Sequence, residues 1–105
     1  MNIIVFETVE DQARGLQFMF PIDPDTLYVF PSVREGTEFH SVNVKEPFDI
    51  AFLTEDYFTL LAVRMTPEAD RIRAPKGTAL AVEARAGNLM KWGFRPGRAG
   101  ATILA

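Results

Sequence analysis

The sequence predicts a mainly β domain of the α+β type: a small antiparallel, partly closed barrel or sandwich carrying two short helices. Three observations point there. Apolar residues come in short runs, several of them alternating with polar residues at every second position, the period of a strand with one buried face. Seven Gly and seven Pro punctuate 105 residues at short intervals. No stretch of 20 residues holds the period of a long amphipathic helix. The length suits one domain, residues 1–105, and a hydrophobic share of 48% supplies its core without metal or disulfides.

Residues 2–7 open with Ile3, Ile4, Val5 and Phe6, a β-branched and aromatic run that predicts a buried strand. Thr8 with Asp11 three residues on is an Asp form of the capping box, and Glu10 and Asp11 complement the positive end of a helix dipole. Gly15 terminates that helix, which therefore covers Val9–Arg14. Pro21 and Pro24 break any continuation and lead to a strand over Thr26–Phe30, closed by Pro31 and a turn over 32–36. From Thr37, Phe39, Ser41 and Asn43 alternate with His40, Val42 and Val44, which predicts a half-exposed strand. Lys45, Glu46 and Pro47 turn the chain into the clearest strand, Phe48–Leu53, where Phe48, Ile50 and Phe52 alternate with Asp49, Ala51 and Leu53.

Glu55 and Asp56 form a hairpin connection into a strand over 57–65. Residues 66–77 contain Pro67, Pro75, Gly77 and charges of both signs, and read as the longest and most mobile loop. A strand over 78–84 sets Leu80 and Val82 against Ala81 and Glu83. A second short helix over 87–92 closes at Gly93, and 101–104 reads as a final strand.

Composition excludes several chemistries. With no Cys and one His, His40, the chain has no disulfide scaffold, thiolate zinc site, iron–sulfur cluster or cysteine nucleophile, so no metal and no cofactor is expected. The longest apolar runs fall far below the ~18 residues of a membrane span. The first ten residues lack the basic start of a signal peptide, and as written the chain reads as a cytoplasmic protein. A net charge of −3 argues against a nucleic-acid partner. Its distribution is uneven: residues 1–52 hold nine acids and three bases, residues 53–105 five acids and eight bases. Such asymmetry orients self-association or docking on a charged partner.

Asp49 sits within an apolar strand, where an ionised carboxylate needs a cation or backbone donors, and Glu83 poses the same question in a second strand. If both point into one cleft with Asn43, they form a general acid and base pair whose pKa values split. The plainer alternative puts each on a polar face or in an ion pair with Arg14 or Arg85. His40 is the group whose ordinary pKa lies near neutrality. Its neighbour Ser41 faces the other side of a strand, which rules against a nucleophile–base pair. Gly93 to Arg98 lacks the Lys-Ser/Thr ending of a phosphate loop and reads as a turn.

The order of several pieces carries a resemblance. Arg14-Gly15-Leu16 ends the first helix, and Leu27-Tyr28-Val29-Phe30-Pro31 forms a strand. Phe39 to Asn43 precede Pro47-Phe48-Asp49-Ile50-Ala51-Phe52, then come Ala81-Val82-Glu83-Ala84 with Gly87, and Trp92-Gly93-Phe94 with Gly97. Together they resemble DUF192, a bacterial and archaeal family of unknown function, over nearly the whole chain. The resemblance implies a compact, β-rich single domain with no established activity, in a family whose members are often exported. The chain departs from the family pattern at three places. Gly15-Leu16-Gln17 stands where members have Gly-Leu-Met, and Thr26-Leu27-Tyr28 where they have Met-Leu-Phe. His40-Ser41-Val42-Asn43-Val44 replaces Trp-Met-Lys-Asn-Thr, of which only Asn43 is kept.

These observations predict a non-enzymatic binding domain for a small ligand or protein partner. Its contact surface joins Phe39, His40, Asn43, Asp49 and Glu83, with Phe18 and Phe20 at the rim. One rival is a structural or assembly protein, such as a virus-particle component. The other is a small hydrolase or isomerase using Asp49 and Glu83.

Overall fold

A computed structural model describes residues 1–98 and Leu104. Its elements run β1 (Asn2–Val5), α1 (Val9–Arg14), β2 (Thr26–Phe30), β3 (Glu38–His40), β4 (Phe48–Leu53), β5 (Thr59–Met65), β6 (Arg71–Arg73), β7 (Leu80–Arg85) and α2 (Asn88–Lys91). Five strands form one sheet in the order β1-β2-β7-β4-β5, and β3 pairs with β6 in a second, two-stranded sheet. Among the described residues the larger sheet is open, with β1 and β5 as its edges, and it closes into no barrel. The sandwich expectation holds. All pairings are antiparallel except β1 with β2, which run parallel. The excursion through α1 and the proline-rich segment carries the chain back to its starting end, as a parallel pair requires.

Alternation along the central strands sorts two cores. Tyr28, Phe30, Phe48, Ile50, Phe52 and Ala81 face one side, under Phe6, Leu16, Ile22 and the partly buried Phe39 and Ile72 of the small sheet. Leu27, Val29, Ala51, Leu53, Leu80, Val82 and Ala84 face the other, under Leu89, Trp92 and Phe94. The first core contains a continuous run of ring contacts, Tyr28 to Phe6 to Phe30 to Phe39 to Phe52, with centroids 5.1 to 5.6 Å apart. β2 and β4 are buried at every position, as strands covered on both faces are.

Four sequence expectations need correction. Among the described residues β1 is no buried strand: Ile3, Ile4 and Val5 are 41–45% exposed, as an edge strand with a single neighbour allows. The strand expected to run from Thr37 to Val44 stops at His40. Ser41 leaves the ladder, its buried hydroxyl donating to the Thr66 carbonyl and accepting from the Asp70 N–H, and Asn43 turns the chain with φ 62°. The supposed long loop over 66–77 contains β6, whose Arg-Ile-Arg is too short to display a period yet pairs residue for residue with β3. The strand over 57–65 begins at Thr59, after Tyr57 adopts φ 65°. Of the strand read over 101–104, all but Leu104 lies outside the described residues.

Candidate functional site

The site begins with a helix too short to hold itself. α1 has six residues and buries none of them. Thr8 caps it by accepting the Asp11 N–H at 3.0 Å, and Gln12 Nε2 ties it to the end of β1 through the Phe6 carbonyl at 2.9 Å. Gly15 then reverses the chain at φ 52°, a backbone conformation that L side chains rarely adopt. The result is a wall standing off the first core rather than packed into it.

Between this wall, the turn after β2, and β3 lies a cleft of about 610 Å³. That is the size range of small-molecule sites. Leu16, Phe30, Val33, Phe39, Val44 and Phe48 give it an apolar interior. Arg14, Arg34, Glu38 and His40 contribute the charged and titratable groups of its lining besides Glu83. Two of these are already engaged, Arg14 with Asp11 at 2.7 Å and Glu38 with Arg71 at 2.8 Å.

Glu83 lines the same cleft from the middle of the sheet, flanked by Tyr28 on β2 and Ile50 on β4, and it is 3% exposed. Among the described residues, no side chain or backbone donor bonds its carboxyl. The Tyr28 hydroxyl, one strand away, donates to Met19 Sδ instead. Burial without compensation pushes the Glu83 carboxyl up to about 8. Gly15 sits over it: a Cβ there would lie 3.9 Å from Glu83 Oε1 and 3.6 Å from Phe30 Cζ. A side chain at the helix end would thus meet the acid.

Asp49 is on the opposite face, its parity being that of Ala51 and Leu53. Arg64, directly across on β5, donates to it through Nε at 2.8 Å and Nη2 at 3.3 Å, and the Gly87 N–H adds a bond of 2.7 Å. The same pairing holds the Arg64 guanidinium above its ordinary pKa, through the hydrogen bond first and charge second. The cation is therefore neither Arg14 nor Arg85, the latter standing 3.9 Å from Glu46. Since the sheet separates Asp49 from Glu83, the two form no acid and base pair.

The remaining expected residues divide. Phe39 and His40 line the cleft, although His40 Nδ1 accepts the Val42 N–H at 3.1 Å. Asn43 stands behind it, donating to Gln17 Oε1 at 3.0 Å while its carbonyl accepts the Phe18 N–H at 2.9 Å, and so braces the segment after Gly15. Phe18 and Phe20 are 76% and 68% exposed and lie outside the cleft lining, so they do not form its rim. Gly15, Ser32, Arg34 and Thr37 line the cleft and escaped the sequence reading. Only Gly15 carried a signal, as the residue ending a helix. Among the described residues, no group of three or more His, Asp or Glu gathers to hold a metal ion, and no helix is long and apolar enough to cross a membrane.

The model of the DUF192 family, described as an uncharacterized ACR, matches residues 1–100. No curated protein matches the chain. Two solved structures share its fold. A protein of unknown function from Novosphingobium aromaticivorans is 22% identical with a TM-score of 0.77, over 90% of this chain and 70% of that one. A putative transcription regulator from Sinorhizobium meliloti is 18% identical with a TM-score of 0.77, over 90% of this chain and 76% of that one.

Proposed function

We propose that this chain, which belongs to the DUF192 family, is a non-enzymatic binding domain that takes a small ligand into the cleft above Glu83. One observation carries the reading: Glu83, a residue only 3% exposed whose carboxyl has no partner among the described residues, lines a cleft with an apolar interior. A carboxyl that lines a cleft without a protein partner keeps its hydrogen-bonding capacity for whatever enters. The same sheet satisfies Asp49 with three hydrogen bonds, so the fold is able to compensate a buried acid where it must. A ligand group bonded to Glu83 recovers the missing interaction, and the aromatic walls supply apolar contact. General acid–base turnover needs a second free group in place; Asp49 is on the far side of the sheet, and in the cleft Glu38 is paired with Arg71 while His40 Nδ1 accepts the Val42 N–H.

The test is a fragment screen followed by amide chemical shifts. Binders are expected to move the signals of Gly15, Leu16, Thr37, Phe39 and His40. Ser32→Trp, an exposed position lining the cleft, is expected to abolish those shifts while the rest of the spectrum stays folded. Fragments that bind elsewhere, or that bind Ser32→Trp equally well, would overturn the reading.

A further inference from the structure

We infer that the cleft's ligand carries a protonated amine, seated on the Glu83 carboxylate with its carbon frame against Phe30, Phe39 and Phe48. This rests on the binding reading above and names the ligand class for the same site.

The argument is one of complementarity. The charged side chains lining the cleft come from three elements around Glu83. Arg14 from α1 is held by Asp11, and Glu38 from β3 is held by Arg71 and, at 3.6 Å, Arg73. Arg34, from the turn after β2, is exposed to solvent at the mouth. His40, on β3, already accepts a backbone N–H within its own turn. On the sheet itself, Tyr28 gives its hydroxyl to Met19, and the β4 neighbour is Ile50. None of these cations is bonded to the Glu83 carboxyl. An anionic ligand group would oppose ionisation of the acid at the floor, and a neutral group would leave its charge uncompensated whenever it ionised. An ammonium does the reverse: it bonds both carboxylate oxygens in turn and is attracted to the faces of neighbouring rings.

Protonation makes the inference testable. The free carboxyl, pushed up to about 8 by burial, is mostly neutral at pH 7, so an arriving ammonium displaces its proton. Affinity therefore rises with pH as long as the amine stays protonated, by about tenfold between pH 7 and pH 9. A ligand that accepts a hydrogen bond from the neutral acid shows the opposite slope.

Phenethylamine, phenethyl alcohol and hydrocinnamate share one ring and chain length and differ in charge. Titrated against the cleft amides, the amine is expected to bind tightest, at least about tenfold over the alcohol. Its affinity is expected to strengthen from pH 7 to pH 9. Glu83→Gln is expected to remove that slope and weaken the amine about tenfold or more, and to affect the alcohol less than the amine. His40→Gln is expected to keep the slope, which excludes the imidazole as its source. The pH series on the unaltered protein stands even if a variant misfolds. An amine no tighter than the alcohol, or one that weakens towards pH 9, overturns the inference. Cleft shifts produced by the acid or the alcohol but not the amine overturn it and leave the binding reading standing. Silence of the cleft towards all three probes and the wider fragment set removes both.

Discussion

Asp49 and Glu83 stand on adjacent strands of one sheet, one register step apart, since Asp49 pairs with Ala84 and Glu83 with Ile50. Their environments have almost nothing in common. Asp49 meets Arg64 and the Gly87 N–H and is bonded at both oxygens. Glu83 lines a cleft together with Phe30 and Gly15 and has no bonded partner among the described residues. Asp49 is a structural pin that fastens β5 and the entry to α2 to the sheet. Glu83 is an acid held in reserve under a wall of backbone. What separates them is parity: moving one residue along a strand changes the face, and the two faces of this sheet are covered by different things.

The largest expected effect breaks the symmetry between the two acids by pH. An ordinary glutamate has a pKa near 4.5, whereas Glu83 in the folded protein is pushed up to about 8. Between those values the unfolded chain has released this proton and the folded chain still holds it. Stability therefore falls as pH rises, by about 1.4 kcal/mol per unit and on the order of 5 kcal/mol across the whole window. Glu83→Gln is expected to remove that slope and to be more stable than the parent at pH 8.5, measured by urea unfolding at a series of pH values. Asp23 and Asp70 are held below the ordinary aspartate value by hydrogen bonds, chiefly from the Asp25 and Thr66 backbones. Their contribution is lost only as pH falls below about 4, so it does not overlap the Glu83 window. A parent protein with flat stability from pH 5 to 8 would show that the carboxyl is solvated.

The next effect removes the pin. Asp49→Ala deletes the paired contacts to Arg64 and orphans the part-buried Gly87 N–H, at an expected cost of about 2 kcal/mol. Arg64→Ala should cost less, because that side chain is itself 54% exposed and leaves behind an acid still bonded to Gly87. Both losses should be constant from pH 5 to pH 9, unlike the change at Glu83. Urea unfolding of the two variants at these pH values checks this, and a cost that varies with pH would mean that the two acids are coupled through the sheet.

The contrast also explains what was legible in the sequence. Period-two alternation in Phe48–Leu53 and around Leu80 identified both strands and both acids, because alternation is a local property. It could not say whether Asp49 and Glu83 share a face, since that depends on which residues pair across strands. Registers of Ile50 with Glu83 and of Asp49 with Arg64 are set by the whole sheet. Phe39 was readable as half-buried, but its partner strand β6 was not, because Arg71-Ile72-Arg73 offers one apolar residue between two charges. Phe18 and Phe20 were read as the rim of the contact surface, and the turn after Gly15 points both outward and away from the cleft lining. The cleft itself left almost no trace, because its lining comes from α1, the turn after β2, β3 and the sheet rather than from one motif.

The smallest effect tests how the reserve acid is kept dry. α1 contributes no buried residue, so its position depends on the Thr8 cap, the Gln12 tie to Phe6 and the turn at Gly15. Thr8→Ala should cost about 1 kcal/mol, an ordinary cap penalty, with amide exchange speeding up in α1 alone. The informative readout lies elsewhere. If the helix end shields Glu83, loosening it admits water and lowers the carboxyl's titration midpoint from about 8 towards the ordinary value, followed by the side-chain carboxyl carbon shift. A Glu83 midpoint that stays where it was would place the desolvation in the sheet and its aromatic neighbours, and reduce α1 to a wall of the cleft with no part in tuning its floor.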